Sequence, residues 1–270
     1  MKLFAKKSLG QHFLNSKHVL DQIITAGDIE PGQNILEIGP GTGILTDSLL
    51  KTGAHVTAIE KDDRAYELLK TKFANEIESK KLKLIHGDIL TEDIQIPTPY
   101  SLIANIPYYI TGAILEKFLE HEPRPEKMVL LVQKEVAERI VARPEQSTGK
   151  SKESILSISV KIFGTPKIIA KVPPGAFTPP PTVDSAILKI ENISIKHFSE
   201  VLNKNPKIIP DFFKIVRAGF AHKRKFLKRN LEDAISADAI DLIWKKINLS
   251  EKIRAEDLTP EDWVRIVVNT

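Results

Sequence analysis

The chain has no cysteine, which excludes disulfide bridges, thiolate metal sites and a cysteine nucleophile. Its seven histidines fall into no HExxH or comparable ligand spacing, so no metal is expected. No long apolar run follows the basic N-terminal residues Lys2, Lys6 and Lys7, which argues against a secretory signal or a transmembrane helix. A cytoplasmic protein with no membrane partner is expected. Charge of one sign is not in large excess: 39 Lys and Arg against 35 Asp and Glu leave a formal +4. That total is too small to establish a nucleic-acid partner, so the distribution of charge has to carry the argument. Internal repeats and low-complexity tracts are also missing.

What is present is an alternation within 270 residues, enough for one large α/β domain and a small one. Short apolar runs at Asn34–Ile38, His55–Ile59, Lys83–His86, Ser101–Ala104, Met128–Val132, Ile168–Val172 and Ala186–Ile190 read as strands. Helical patterns at Val19–Ala26, Ile44–Lys51, Ala65–Phe73, Thr111–Leu119 and Lys134–Val141 fill most of the early gaps. This order predicts a mostly parallel sheet covered by helices on both faces. The last two strands are joined by a proline-rich loop rather than a helix, which predicts an antiparallel end to the sheet. After Glu191 the pattern turns helical, at His197–Asn203, Asp211–Ala234, Ala239–Asn248 and Pro260–Val268. The expected domains are 1–191 and a small helical one at 192–270. The polar stretch Gln146–Ser154 is expected to be a mobile loop.

Two motifs carry chemistry. Gly39, Gly41 and Gly43 form GxGxG between the first long strand and its helix, where close backbone approach to a nucleoside is possible. Glu60 ends the next strand, where a carboxylate takes ribose hydroxyls, and Asp88 ends the third, where one can accept from an adenine amine. Glu37 beside the turn favours S-adenosylmethionine over a dinucleotide: no pyrophosphate needs placing, and a carboxylate suits the cationic methionine end. Further on, Asn105-Ile106-Pro107-Tyr108 follows the fourth strand. An exocyclic adenine amine is a poor nucleophile because its lone pair is delocalised into the ring. The Asn105 side-chain oxygen and the Ile106 carbonyl can accept its N–H groups and free the lone pair, Pro107 holds the turn open, and Tyr108 can stack on the base. Phe177 is a candidate for the other face. Together the motifs point to methylation of an adenine amino group.

His222 to Arg229 holds five fixed positive charges, Lys223, Arg224, Lys225, Lys228 and Arg229, preceded by Arg217. On one continuous helix, Arg217, Arg224 and Lys228 would share a face, with Phe213, Val216, Phe220 and Leu227 on another. Beside an adenine pocket this reads as a phosphate-binding surface, which Lys2, Lys6 and Lys7 extend.

These residues, with Ser8–Leu14, Val172–Phe177, Pro179–Ser185 and Phe220–Leu231, resemble the small-subunit ribosomal RNA adenine dimethyltransferases over nearly the whole chain. The resemblance implies a Rossmann-like class I methyltransferase fold. It implies S-adenosylmethionine as cofactor and two adjacent adenines in the 3′-terminal hairpin loop of 16S rRNA, within the immature small subunit, as substrate. A monomer is expected. By the same resemblance Gln11 and Leu14 close over the methionine end, with His12 able to donate a hydrogen bond and Gly39 and Gly41 beside it. Glu60 would hold the ribose, Asp88 the adenine, Asn105 and Tyr108 the target base, and Phe177 its other face. One departure stands out. Glu153-Ser154 occupies the place of a usual tyrosine–glycine pair and puts a negative charge near an RNA-facing loop. The rival readings are an erythromycin-resistance-type enzyme acting on 23S rRNA, a non-catalytic small-subunit assembly factor and, more weakly, a DNA adenine methylase.

Overall fold

Strands β2 (Asn34–Ile38), β3 (His55–Glu60), β5 (Tyr100–Asn105) and β6 (Lys127–Gln133) are nearly continuous apolar runs, and a strand can bury both faces only between two layers of helix. The computed structural model describes residues 3–6, 9–142, 152–199 and 207–270. Lys2, Lys7, residues 146–151 of the expected loop and residues 200–203 of the expected His197–Asn203 helix lie outside them. With β4 (Leu82–His86), β7 (Thr165–Val172) and β9 (Ser185–Glu191), the seven expected strands form one sheet in the order β4-β3-β2-β5-β6-β9-β7. Strands β4 to β6 pair in parallel, while β9 runs antiparallel to β6, with Ser185 opposite Gln133 and Ile190 opposite Met128. At one margin β7 exposes Lys167, Ile169 and Lys171 on alternate residues. Two further strands, β1 (Phe13–Leu14) and β8 (Phe177–Thr178), pair antiparallel outside this sheet.

The helices start where local chemistry favours them. Ser16 caps α1 (Lys17–Gly27), and its apolar residues Val19, Leu20, Ile23 and Ala26 recur at helical spacing and are buried. Gly43, in the left-handed region, opens α2 (Ile44–Lys51), and Asp62 caps α3 (Asp63–Lys72), which a short α4 (Ala74–Glu78) follows. Helix α5 (Thr111–Glu120) follows a 3₁₀ turn at Tyr108–Ile110, and α6 (Lys134–Val141) follows β6 directly.

Residues 1–138 and 166–193 form one compact unit, and 139–165 with 194–270 form the other. The expected single cut at 191/192 therefore differs from the observed grouping, in which 139–165 joins the helical unit. The reason is packing. Phe163 lies against Phe213 and Phe198 at 6.0 and 6.4 Å, Ser194 N–H donates to the Phe163 carbonyl, and Glu153 N–H donates to that of Glu256. This unit contains α7 (Ile155–Lys161), α8 (Ile208–Gly219), α9 (Leu227–Leu231), α10 (Ala237–Ile247) and α11 (Pro260–Val267). The helix expected over 211–234 is thus two helices with a turn at 220–226. Asn230 holds that turn: its Nδ2 donates to the carbonyls of Gly219 and His222 at 2.6 and 3.2 Å. Thr259 caps α11, its side chain accepting from Asp262 N–H, with Pro260 in the first turn.

Candidate active site

Four parallel strands deliver their carboxyl ends to one cavity, the edge where ligands bind in such sheets. From β2 comes the glycine turn. Gly39 has φ +65°, and a Cβ built there would meet nothing within 4 Å, so the backbone lies open to a ligand. Gly41 has φ +56° and lies against the Phe13 ring, 2.9 Å from where its Cβ would be. From β3 comes Glu60, which is buried; one carboxylate oxygen accepts from Gly41 N–H (2.9 Å) and the other from Asp62 N–H (2.8 Å). Burial pushes its carboxyl up, and these backbone donors oppose the shift. Each oxygen keeps a lone pair for a ligand hydroxyl. Asp88 follows β4, accepting from Lys61 Nζ (2.7 Å) and Leu90 N–H (3.0 Å), and the lysine holds its carboxyl below the usual range.

β5 delivers Asn105. Its Nδ2 donates to the His12 carbonyl at 3.2 Å. A carbonyl can only accept, so this contact decides which end of the amide points where. Nothing among the described residues donates to the Asn105 Oδ1. Ile106, Pro107 and Tyr108 line the same cavity. The Tyr108 hydroxyl shares a 2.6 Å hydrogen bond with Ser185, and its ring faces that of His12, centroids 5.8 Å apart and planes 20° apart.

The N-terminal segment is tied across this edge. Gln11 donates to Asp62 (3.0 Å) and accepts from Lys6 N–H (2.9 Å), while Lys6 Nζ lies 3.6 Å from the same carboxylate. Arg64 also grips Asp62, at 2.6 Å, and holds its carboxyl well below the usual range. Gly10 lies against the Tyr109 ring. Tyr109, Lys61 and Asp62 were not among the sequence candidates. An aspartate at a helix N-cap was a usable signal for Asp62; the other two give none.

Ten of the expected residues therefore meet in one cavity: Gln11, His12, Gly39, Gly41, Glu60, Asp88 and Asn105–Tyr108. Two do not line it. Leu14 and Phe177 are both 3% exposed and pair with each other in β1 and β8, within the hydrophobic core. Phe177 is thus a core aromatic rather than a ring open to a base. Glu37, expected as a carboxylate beside the cofactor, is also buried; its Oε2 has no hydrogen-bond partner, and desolvation pushes its carboxyl up to about 8.

In the helical unit the basic residues divide. Lys228 pairs with Asp241 (2.8 Å) and Glu251 (3.1 Å), and Arg229 with Glu232 (3.0 Å). Arg217 lies over the Phe213 ring. Lys223, Arg224 and Lys225 stand exposed in the 220–226 turn. The expected common face of Arg217, Arg224 and Lys228 does not form, because the helix is broken between them. Glu153, expected near an RNA-facing loop, is buried and paired with Lys161 at 2.5 Å, and Ser154 caps α7. Among the described residues no acidic or histidine cluster could hold a metal, and no helix is long and apolar enough to cross a membrane.

The sheet order, the open glycine turn and the acids after β3 and β4 define a class I S-adenosylmethionine-dependent methyltransferase, whose cofactor these residues fit. More narrowly, the model of the ribosomal RNA adenine dimethylase family matches residues 3–269, and the chain belongs to that family. It is 42% identical over 273 residues to a ribosomal RNA small subunit methyltransferase A of Dehalococcoides mccartyi, covering 98% of this chain and 88% of the relative. A protein of the same name from Nostoc sp. is 35% identical over 274 residues, 97% of this chain and 96% of that one. Among solved structures, a dimethyladenosine transferase from Plasmodium falciparum matches at TM-score 0.77 and 27% identity, covering 94% of this chain and 96% of that one. The 23S rRNA methyltransferase ErmE matches at 0.68 and 21%, covering 95% and 98%, a likeness of fold.

Proposed function

We propose that this enzyme dimethylates the N6 amines of two adjacent adenines in the 3′-terminal hairpin loop of 16S rRNA, in the immature small subunit. The observation that carries the reading is the amide of Asn105, turned by the His12 carbonyl so that its Oδ1 is left to accept from an amine. In the proposed roles, Asn105 Oδ1 and the Ile106 carbonyl take the two N–H groups of the base. That draws the nitrogen toward tetrahedral geometry and localises its lone pair. Pro107 fixes the turn, and Tyr108, braced by Ser185, offers a ring face. Gln11, the main chain of His12, Gly39 and Gly41 hold the methionine end of the cofactor, Glu60 the ribose and Asp88 the adenine. When bound, S-adenosylmethionine supplies an electrophilic methyl group. No strong base is needed, because the amine becomes acidic as it alkylates; positioning supplies most of the rate.

A base must leave its stack to enter such a cavity, at a cost of a few kcal/mol. An aromatic platform returns about 1–3 kcal/mol, so a base already in a loop is the cheapest target. The unit formed by residues 1–138 and 166–193 would carry the chemistry. The helical remainder would meet the phosphates, chiefly through Lys223, Arg224 and Lys225. A monomer working in the cytoplasm suffices for this scheme. The test is labelled methyl transfer to undermethylated small and large ribosomal subunits in parallel, with products resolved as mono- and dimethyladenosine. Dimethyladenosine confined to the small subunit is expected. Label on the large subunit would replace the proposed substrate, and tight small-subunit binding without label would make the chain an assembly factor.

A further inference from the structure

We infer that Asp62 is a positioning residue for the cofactor: from outside the cavity it latches the N-terminal segment across the mouth and governs how fast S-adenosylmethionine leaves. This rests on the cofactor placement proposed above. Three observations carry it. The first is connectivity. The Asp62 carboxylate accepts from Gln11 Nε2 at 3.0 Å and lies 3.6 Å from Lys6 Nζ, both on the N-terminal segment. Arg64 donates to the same carboxylate from Nε (3.0 Å) and Nη2 (2.6 Å), and from Nη1 to the Phe4 carbonyl (3.2 Å). One ion pair thus grips the segment at three residues. The second is position. Leu9, Gly10 and Gln11 line the cavity beside Gly39 and Glu60, whereas Asp62 does not. The third is charge. Asp62 is 2% exposed, and burying a carboxylate is costly unless it is paired. To cap α3 it has only to accept from Arg64 N–H (3.2 Å), which an asparagine or serine does as well. The charge is needed for the contacts beyond the helix.

Asp62 acts through Gln11, whose amide is fixed at both ends. Its Oε1 accepts from Lys6 N–H (2.9 Å), and one Nε2 hydrogen goes to Asp62. The second Nε2 hydrogen has no acceptor among the described residues and remains for the methionine end of the cofactor. The Asp62 N–H donates to Glu60 at 2.8 Å, so the carboxylate assigned to the ribose and the one that latches the segment share a single turn. A cofactor leaving past Gln11 has to part the segment from Asp62. Contacts broken only on opening slow departure more than they slow entry.

The test compares the full chain as wild type, D62N, Q11A, the double variant and E60A. Labelled S-adenosylhomocysteine is chased with unlabelled excess, without RNA, to give the dissociation rate. D62N keeps a helix cap and loses the charge; it should release the label about 10- to 150-fold faster, the range of one hydrogen bond to a charged group. Its association rate should stay within about threefold of wild type. On whichever subunit the wild type labels, KM for S-adenosylmethionine should rise while kcat at saturating cofactor holds. The double variant should release no faster than the faster single one, because both changes break the same contact. A wild-type dissociation rate in D62N would overturn the inference. So would effects that multiply in the double variant, or a loss of kcat with KM unchanged. Should D62N melt below the assay temperature, D62S, which caps with a hydroxyl, is read by the same criteria. E60A separates the two readings. If it holds cofactor as wild type does, the cofactor placement fails and this inference with it; if E60A binds weakly and D62N does not, the latch alone is overturned.

Discussion

A carboxamide and a carboxylate share one shape but not one set of donors, and Asn105 separates them. In N105D an oxygen would stand where Nδ2 now donates to the His12 carbonyl, setting two acceptors 3.2 Å apart. The side chain would swing away, and the amine would lose its acceptor. Single-turnover transfer at saturating cofactor should fall roughly 100-fold or more for N105D, by analogy with loss of one preorganised polar group. It should be no faster than N105A, whose cavity at least repels nothing. Glu37 makes a prediction about pH. Its carboxyl titrates near 4.5 when unfolded and at about 8 when buried, so between those values the native state holds the extra proton. Stability of the ligand-free protein should then fall as pH rises through that window. E37Q, which cannot ionise, should melt above wild type at pH 8, with the gap closing toward pH 5; parallel melting curves at both values would contradict this.

At the scale of elements, Gly219 ends α8 directly against a tryptophan. A Cβ there would lie 2.3 Å from the Trp263 ring and 2.9 Å from Leu227, and Trp263 is fully buried. G219A should therefore cost about 1–3 kcal/mol by overpacking, read as a lower midpoint in urea with unchanged slope. The same region shows why the sequence was partly illegible. Phe213, Val216, Phe220 and Leu227 keep a helical spacing through the break, so periodicity alone continues the helix. What stops it is Asn230 reaching back to Gly219 and His222, a contact that periodicity does not reveal. The central strands β2, β3, β5 and β6 were legible because burial on both faces forces uninterrupted apolar runs, and β7 at the margin showed instead as an alternation of exposed and covered residues. The two-residue strands β1 and β8 were not, since two residues carry no period. In the site, Gly39, Gly41, Glu60, Asp88 and Asn105 were legible because their chemistry is tied to strand ends, whereas Glu37, within β2, is buried. Phe177 and Leu14 were misplaced because an apolar residue looks the same whether it faces a ligand or the core.

For the whole molecule, a net charge of +4 conceals an uneven supply of usable cations. Lys228 and Arg229 are already answered by acids, whereas Lys223, Arg224 and Lys225 stand exposed in one turn. If that turn meets phosphates, removing all three should flatten the plot of log affinity for RNA against log salt by about 2 to 3 units. Changing Lys228 alone should leave that slope nearly untouched, and equal effects would return the surface to one undivided patch.

Among the described residues β4 and β7 end the sheet, so the outer side of β7 is an edge to which a further strand could add. Lys167 and Lys171, standing out from that margin, set like charge against an identical chain that tries to add itself edge to edge. Replacing both lysines with valine would flank Ile169 with β-branched apolar side chains and leave that edge without charge. Light scattering in a concentrated solution should then rise with time while the fresh protein still methylates. Two lysines suited to an enzyme that meets polyanions would thus also oppose edge-to-edge growth of the sheet.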